Sequence, residues 1–292
     1  MFYVSCGENL TKTVGIVARL DRAEALALAL KILETFEMNG FKVFFEAELA
    51  EVSGKHSYAK PLGEMSVDLV VTIGGDGTIL KTCLHLPKPE PPILAIDMGA
   101  RGFLTEVSPE KALEAINQYL KGAYHIESCS KVACFVGDSR LPDALNEVFV
   151  TSRHLAKILY FKVWRDGVEV ADCRADGVII ASQVGSTAYS FSSGGPIIDP
   201  EVDALVLTPV CPVNLIRPIV FPANSSITIE VLKPKTAKII IDGDYQKNIG
   251  DGETKITVRI SENKSKFIRF RPNFYGRLKN RLLFPREEET WL

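Results

Sequence analysis

A glycine-rich stretch, Gly74-Gly75-Asp76-Gly77-Thr78, joins an apolar, β-branched run at 67–73 to a segment of helical composition at 79–84. This order predicts a buried strand, a tight turn and a helix. Glycines in such a turn let backbone N–H groups and the helix N-terminus approach a phosphate closely. The stretch therefore predicts an α/β unit with an anion site at the end of a strand.

The only ionisable side chain in this turn is Asp76. Because a carboxylate repels phosphate, its position favours metal ligation or proton abstraction, although a plain helix cap is a third interpretation. The turn lacks the Gly-Lys-Ser/Thr of a P-loop and the Gly-x-Gly-x-x-Gly spacing of a dinucleotide fingerprint. The local sequence leaves these interpretations open.

Strands and helices alternate in the first part of the chain. Such alternation predicts a parallel sheet with helical crossovers, whose ligands lie beyond the carboxyl ends of the strands. Asp21 is a candidate cap for the first helix, and Ser108 with Pro109 predicts the start of the last one. Predicted strands occupy 13–18, 41–45, 67–73 and 93–96, predicted helices occupy 22–38 and about 109–120, a polar loop occupies 51–60, and a second glycine-rich turn occupies 97–104.

After Gly122 short strand-like runs follow one another with few helical stretches. This pattern predicts an antiparallel, sandwich-like β domain, and Asp166-Gly167 is a two-residue hairpin signal within it. We therefore predict an N-terminal α/β domain over residues 1–122 and a β-rich domain over 123–271. The tail at 272–292 is expected to pack back onto the N-terminal domain.

Composition limits the function classes. The net charge of −2 provides no basic field for nucleic acid, and no apolar run reaches the ~18 residues of a membrane span. The cysteines form no CxxC pair and the histidines form no HExxH motif, which disfavours a zinc site and favours free thiols. We expect a cytoplasmic protein with no nucleic-acid or membrane partner.

Three further stretches carry candidate ligand groups. Asn146-Glu147 presents an amide and a carboxylate that suit sugar hydroxyls, although the pair is also ordinary turn chemistry. The run 185–193 is rich in hydroxyls and small residues, and its Tyr189 is available to stack on a flat heterocycle. Asp176 is a possible hydrogen-bond acceptor for a ligand, and Asp242-Gly243 is best interpreted as a hairpin turn.

Taken together, these motifs resemble those of the NAD kinase family. The turn at 74–78 is similar to the family's GGDGT, Asn146-Glu147 to its NE pair, and 185–190 to its GSTAYS segment. The turn at 99–106 is similar to its GxxGFLTE. The resemblance implies a phosphofructokinase-like α/β domain and a β-rich domain with the active site between them. It also implies transfer of the γ-phosphoryl group of ATP, or of polyphosphate, to the adenosine 2′-hydroxyl of NAD with Mg²⁺, in a homodimer or homotetramer.

The resemblance also implies roles for individual residues. Asp76 is the candidate catalytic base, because an ordinary carboxylate is ionised at neutral pH. No metal-binding side chain is predicted. The candidate phosphate- and ATP-binding residues are Gly74, Gly75, Gly77, Thr78 and Arg101. The candidate NAD-binding residues are Asp76, Gly77, Lys81, Phe103, Asn146, Glu147, Arg174, Asp176, Thr187, Ala188, Tyr189, Ser192 and Gln246, with Asp244 as an alternative to Gln246.

The sequence departs from the family pattern at two places. Gln183-Val184 replaces a Thr-Pro ahead of the GSTAYS segment, and Val213 replaces a histidine. Two alternative functions remain: a lipid kinase, because such kinases share GGDGT, and a non-catalytic NAD sensor, because the Gln183-Val184 turn is altered. The absence of a polybasic or exposed apolar membrane element disfavours the lipid kinase.

Overall fold

The computed structural model describes residues 12–99, 102–154, 157–214, 216–250, 252, 254–271 and 274–279. The chain divides into two compact units. The first runs to Glu127 and resumes at Lys266, and the second comprises Ser128–Ser265 and Phe274–Leu278. The tail at 272–292 was predicted to pack onto the N-terminal domain. Most of it, residues 272, 273 and 280–292, lies outside the described residues.

Helices and strands alternate in the first unit. Its elements are β1 (Thr13–Ala18), α1 (Ala23–Met38), β2 (Lys42–Glu46), α2 (Ala47–Val52), β3 (Ala59–Lys60), β4 (Leu69–Gly74), α3 (Asp76–His85), β5 (Ile93–Asp97) and α4 (Ala112–Leu120).

The strands of the first unit form a parallel sheet in the order β3-β2-β1-β4-β5. Every residue of β4 and β5 is buried, as expected of strands covered on both faces. The hydrophobic core joins these strands to α1, whose Ile32 and Phe36 are fully buried. The order reverses between β1 and β4, and ligands bind at such reversals in open α/β sheets.

Two local predictions for this unit were wrong. The cap position of α1 is Arg22 and not Asp21, because the Asp21 carboxylate is engaged by the Arg19 guanidinium. The segment 51–60 is not simply a loop. It contains the end of α2, a 3₁₀ turn at His56–Tyr58 and the short strand β3, which pairs with β2.

Antiparallel strands dominate the second unit, as predicted. The elements that follow α4 are β6 (His125–Val136), β7 (Ser139–Arg140), β8 (Glu147–Ser152), β9 (Leu159–Arg165), β10 (Val168–Ala175), β11 (Gly177–Ala181), α5 (Tyr189–Ser192), β12 (Ala204–Val210), β13 (Ile219–Pro222), β14 (Ile227–Lys233), β15 (Ala237–Ile241), β16 (Tyr245–Ile249), β17 (Lys255–Arg269) and α6 (Phe274–Leu278).

Six strands of this unit form one antiparallel sheet in the order β13-β12-β11-β8-β15-β16, and a second run pairs β10, β9, β14 and β17. The Asp166-Gly167 hairpin is confirmed, since the two residues have φ angles of 49° and 83° and join β9 to β10. The last residues of β17 belong to the first unit, where Phe267 pairs with Ile93 of β5.

Two chemical expectations can be compared with the structure. The described cysteines Cys83, Cys129, Cys134, Cys173 and Cys211 carry free thiols. Among the helices of the described ranges, none combines the length and the apolar character that a membrane crossing requires.

Candidate active site

The glycine turn at 74–78 lies where β4 ends and α3 begins. Gly75 occupies the N-cap position, and Asp76 is the first helical residue. The Asp76 carboxylate accepts hydrogen bonds from the backbone N–H of Phe103 at 2.7 Å and of Leu104 at 3.0 Å. Its side chain is therefore held toward the second glycine-rich turn, which follows β5.

The glycines of this turn differ in the structural reason why a larger residue could not replace them. A Cβ on Gly74 would lie 2.1 Å from the Thr78 hydroxyl oxygen, so packing excludes any larger residue there. A Cβ on Gly75 or Gly77 would meet nothing within 4 Å, and neither residue has a positive φ. Neither packing nor backbone conformation requires glycine at these two positions, whereas a ligand lying against the backbone would.

Hydrogen bonds connect the two glycine-rich turns. The Met98 N–H donates to the carbonyl of Gly74 at 3.0 Å, and the Asp97 carboxylate accepts from the Gly99 N–H at 2.9 Å. A Cβ on Gly102 would lie 2.6 Å from the Thr105 hydroxyl and 3.1 Å from Asp76 Oδ1. The predicted phosphate ligand Arg101 lies outside the described residues.

A buried arginine that the sequence did not reveal supports the second turn. Arg269 donates from Nη1 to the carbonyl of Leu104 at 2.9 Å and to the Glu106 carboxylate at 3.1 Å, and its Nε donates to Glu127 at 2.6 Å. The side chains of Arg269 and Glu106 are 4% and 7% exposed. Because Leu104 also donates its N–H to Asp76, Arg269 is a positioning residue one step removed from the carboxylate.

In the second unit, the Asn146-Glu147 pair is held by a carboxylate from a distant turn. Asp242 accepts hydrogen bonds from the N–H groups of Leu145, Asn146 and Glu147 at 2.6, 2.8 and 3.0 Å. Asp242 has a φ of 49° and Gly243 one of 75°, so the predicted hairpin turn between β15 and β16 is confirmed. The turn also positions the backbone of the Asn146-Glu147 pair, a role that its local sequence does not show.

The GSTAYS segment packs directly on the same pair. Ser182 donates its N–H to the carbonyl of Asn146 at 2.8 Å and its hydroxyl to that of Leu145 at 2.6 Å. A Cβ on Gly185 would lie 2.0 Å from the Asn146 carbonyl oxygen, so the two backbones touch there. Tyr189 is 41% exposed and meets Phe149 edge-on at 5.2 Å. The structure thus brings these two predicted motifs together.

Glu147 is buried, and its electrostatic environment is unusual. Its Oε2 has no hydrogen-bond partner among the described residues. Burial and the nearby Asp242 carboxylate raise the pKa of Glu147 to about 8, although a hydrogen bond from the Tyr189 backbone acts in the opposite direction. Burial raises the pKa of Asp242 too, but three backbone donors and Lys131 oppose that shift. Glu147 therefore holds the proton at neutral pH and has an O–H to donate.

The other predicted NAD-binding residues of this unit are distributed more widely. Asp176 and Arg174 are exposed and lie at the Gly177 end of β11, whereas Asn146-Glu147 lies beside its Ala181 end. Thr187 donates to the carbonyl of Val184 at 3.0 Å, next to the partly buried Ala188. Ser192 ends α5, and Gln246 is exposed on β16 next to Lys238.

The two departures from the family pattern occupy different environments. Gln183 precedes a 3₁₀ turn at Val184–Thr187, and Val184 fills a buried position in it. Val213 is 68% exposed and donates its N–H to the carbonyl of Arg174 at 2.8 Å.

Comparison with known proteins identifies the family. The model of the ATP-NAD kinase N-terminal domain matches residues 14–124, and the model of the C-terminal domain matches residues 145–270. The chain belongs to the NAD kinase family. It is 40% identical over 273 residues to an NAD kinase of Methanothermobacter thermautotrophicus, which covers 92% of this chain and 96% of the relative. An NAD kinase of Thermococcus kodakarensis is 41% identical over 266 residues, covering 89% of this chain and 95% of the relative.

Solved structures show the same relationship. The NAD kinase of Archaeoglobus fulgidus, crystallised in complex with ATP, is 30% identical with a TM-score of 0.74 and covers 91% of this chain and 98% of its own. Yeast NADH kinase in complex with NADH is 25% identical with a TM-score of 0.85 and covers 98% of this chain and 91% of its own. These family members confirm the predicted fold class and do not support a lipid kinase.

Proposed function

We propose that the protein phosphorylates NAD, transferring the γ-phosphoryl group of ATP to the adenosine 2′-hydroxyl to give NADP and ADP. The observation that carries this proposal is the placement of Asp76. Its carboxylate is oriented by the N–H groups of Phe103 and Leu104, beside two glycines that neither packing nor backbone conformation requires. The family assignment identifies the class of substrate that such a turn receives.

Asp76 acts as the general base in this proposal. The carboxylate takes the proton of the 2′-hydroxyl as the new O–P bond forms and the bond from the γ-phosphorus to ADP breaks. The N–H groups of Phe103 and Leu104 fix the orientation of this carboxylate. A positioned base contributes ~10²–10⁴-fold to the rate, and the remaining acceleration comes from positioning and charge stabilisation.

The second-unit residues bind the acceptor. Asn146 and Glu147 contact ribose hydroxyls, and the protonated Glu147 donates its O–H while Asn146 both donates and accepts. Tyr189, exposed and supported by Phe149, stacks on a ring of NAD. The remaining contacts are assigned to Arg174, Asp176, Thr187, Ala188, Ser192 and Gln246 on the basis of the family resemblance.

Mg²⁺ fits this site as a partner of the donor phosphates. Among the described residues, no three acidic, histidine or cysteine side chains cluster in a way that would hold a metal ion alone. Mg²⁺ commonly binds through substrate phosphates and few protein side chains, so the donor phosphates would supply its principal protein-independent ligands here. When bound, the ion would neutralise phosphate charge.

Three finer assignments complete the proposal. Polyphosphate is an alternative donor, because the proposed contacts of the glycine turn are with phosphates and not with the nucleobase of ATP. A homodimer or homotetramer follows from the family resemblance, and a cytoplasmic location is assigned because the free thiols favour a reducing compartment.

The test incubates the purified protein with NAD, Mg²⁺ and either ATP or polyphosphate, and measures NADP with an NADP-specific dehydrogenase. We expect NADP formation that requires donor, metal and Asp76. NAD binding without NADP formation from either donor would support the sensor alternative, and phosphorylation of liposome lipids instead of NAD would support the lipid kinase.

A further inference from the structure

One lysine of the second unit is completely buried. Lys131, on β6, is 0% exposed, whereas the side chain of Lys81, which lies 3.4 Å from Glu48 in the first unit, is 49% exposed. Lysines are almost never fully buried unless an anion compensates their charge, because an isolated buried ammonium group is very costly. The burial of Lys131 therefore points to an anion close by.

The pairing of β6 places Lys131 beside the segment that carries the NE pair. Val132 and Ala144 exchange two backbone hydrogen bonds of 2.8 Å in an antiparallel bridge. In an antiparallel register, the residue before Val132 lies opposite the residue after Ala144. Lys131 therefore lies opposite Leu145, whose N–H donates to the Asp242 carboxylate.

Asp242 is an anion within electrostatic reach of Lys131. Burial raises the pKa of the Asp242 carboxyl, and its backbone N–H donors and the positive charge of Lys131 act against this rise. Both side chains are buried, so water screens their interaction little. Lys131 therefore favours the ionised form of Asp242.

The hydrogen bonds of Asp242 require this ionised form. Its Oδ2 accepts from the N–H of Leu145, and its Oδ1 accepts from the N–H groups of Asn146 and Glu147. A protonated carboxyl would carry an O–H donor on one of these oxygens, which would weaken its bonds to the surrounding N–H donors. The charge of Asp242 thus fixes the N–H side of the segment that carries the NE pair.

The carbonyl side of the same segment is fixed by a neutral group. Ser182, which is fully buried, donates its hydroxyl to the carbonyl of Leu145 at 2.6 Å and its N–H to the carbonyl of Asn146 at 2.8 Å. Ser182 and Asp242 therefore hold the segment from its two sides. Because the serine carries no charge, the Asp242 side is the one that depends on an electrostatic partner.

We infer that Lys131 is a positioning residue for the acceptor: its buried charge compensates the Asp242 carboxylate, which in turn holds the Asn146-Glu147 pair where it contacts ribose hydroxyls. The inference rests on the proposed function, because it takes NAD as the acceptor. Desolvation largely offsets the attraction within a buried ion pair, so such a pair adds little stability compared with apolar side chains. The geometry imposed on the acceptor site therefore explains the pair better than the stability of the fold does.

The test compares the full-length wild-type protein with Lys131→Met, which keeps a side chain of similar length and removes its charge. Lys162→Met is the matched control, because Lys162 lies on β9 in the same unit and pairs with Glu169 at 2.8 Å in a partly exposed position. Calorimetry measures the Kd for NAD, and steady-state kinetics measure the KM for NAD and for ATP. We expect Lys131→Met to raise the Kd and the KM for NAD about tenfold without changing the KM for ATP, whereas Lys162→Met changes none of them.

A double variant separates the electrostatic role of Lys131 from simple packing. Asp242→Asn removes the partner charge, and the double variant Lys131→Met/Asp242→Asn removes both charges. We expect the double variant to bind NAD no more weakly than Asp242→Asn, because no carboxylate is left for Lys131 to act on. Losses of affinity that multiply to about 100-fold in the double variant would show independent roles and overturn the inference.

Phe161→Leu shows the pattern of a purely structural change, because Phe161 is a buried apolar residue of β9. It should lower the temperature of unfolding and leave the Kd for NAD unchanged. The same pattern in Lys131→Met would overturn the inference and leave the proposed function intact.

The double variant also decides the case in which Lys131→Met does not fold. The inference then expects the double variant to fold and to have the NAD affinity of Asp242→Asn. A double variant that fails to fold while Asp242→Asn folds would show that Lys131 acts without Asp242, and would overturn the inference. Failure of the wild-type protein to bind NAD or to form NADP would refute the proposed function instead.

Discussion

Glu147→Gln should stabilise the second unit at neutral pH, and the gain should grow as the pH rises. The pKa of Glu147 is raised from 4.5 to about 8, mainly by burial and then by Asp242. A folded-state pKa above the unfolded value means that the folded protein binds more protons, so the free energy of unfolding falls as the pH rises from about 4.5 to about 8. Glutamine has a similar shape and cannot ionise, so it removes this loss.

The magnitude follows from the two pKa values. Proton linkage gives a loss of about 1 kcal/mol at pH 5 and about 3 kcal/mol at pH 7 for a shift of this size. We therefore expect the stability difference between Glu147→Gln and the wild type to increase by about 2 kcal/mol from pH 5 to pH 7. Any cost of burying the amide is independent of pH and cancels in this comparison.

Urea unfolding followed by Trp164 fluorescence measures this difference, because Trp164 lies on β9 in the same unit as Glu147. The background for both proteins is Trp291→Phe, so that Trp164 is the only fluorescent indole. Parallel pH dependences of the unfolding free energy in the two proteins would refute the account of Glu147 as a buried, protonated group.

Four other substitutions test the positioning of the site. Arg269→Met should cost about 3–5 kcal/mol by removing the guanidinium that pairs with the buried Glu106 carboxylate, as measured by urea unfolding, and reduce kcat more than it changes the KM for NAD. Gly77→Ala should leave the free energy of unfolding unchanged or raise it by up to about 1 kcal/mol, yet slow turnover. Gly74→Ala should lower the free energy of unfolding by about 1–3 kcal/mol, because the new methyl group meets Thr78. Equal activity and stability in the two alanine variants would contradict the interpretation that a ligand contacts Gly77. Asp242→Asn should raise the KM for NAD with little change in the KM for ATP, and a rise in the KM for ATP alone would contradict its role at the NE pair.

The sequence predicted the elements whose signal is local. The β-branched runs gave β1, β4 and β5 within a residue or two, and Asp166-Gly167 gave a hairpin because its turn chemistry is contained in two residues. The placement of both glycine-rich turns at the carboxyl ends of parallel strands was also predicted, whereas the hydrogen bonds from the second turn to Asp76 were not.

The sequence missed the groups whose partners are far away along the chain. Asp242 is 95 residues from Glu147, and Arg269 is 165 residues from Leu104. Neither residue has a local pattern that distinguishes it from an ordinary turn aspartate or a strand arginine, so only the tertiary pairing reveals its role. The prediction that Asp21 caps α1 was wrong for a different, local reason, because Arg19, two residues away, engages the same carboxylate.

The role of Asp76 as the base that activates the 2′-hydroxyl is tested most directly by Asp76→Asn. NAD binding by calorimetry and NADP formation by the coupled dehydrogenase assay should be measured on the same preparation as the wild type. We predict an unchanged fold, NAD affinity within about threefold, and a kcat reduced by about 10²–10⁴-fold. An asparagine variant that keeps near-wild-type turnover would contradict the general-base role.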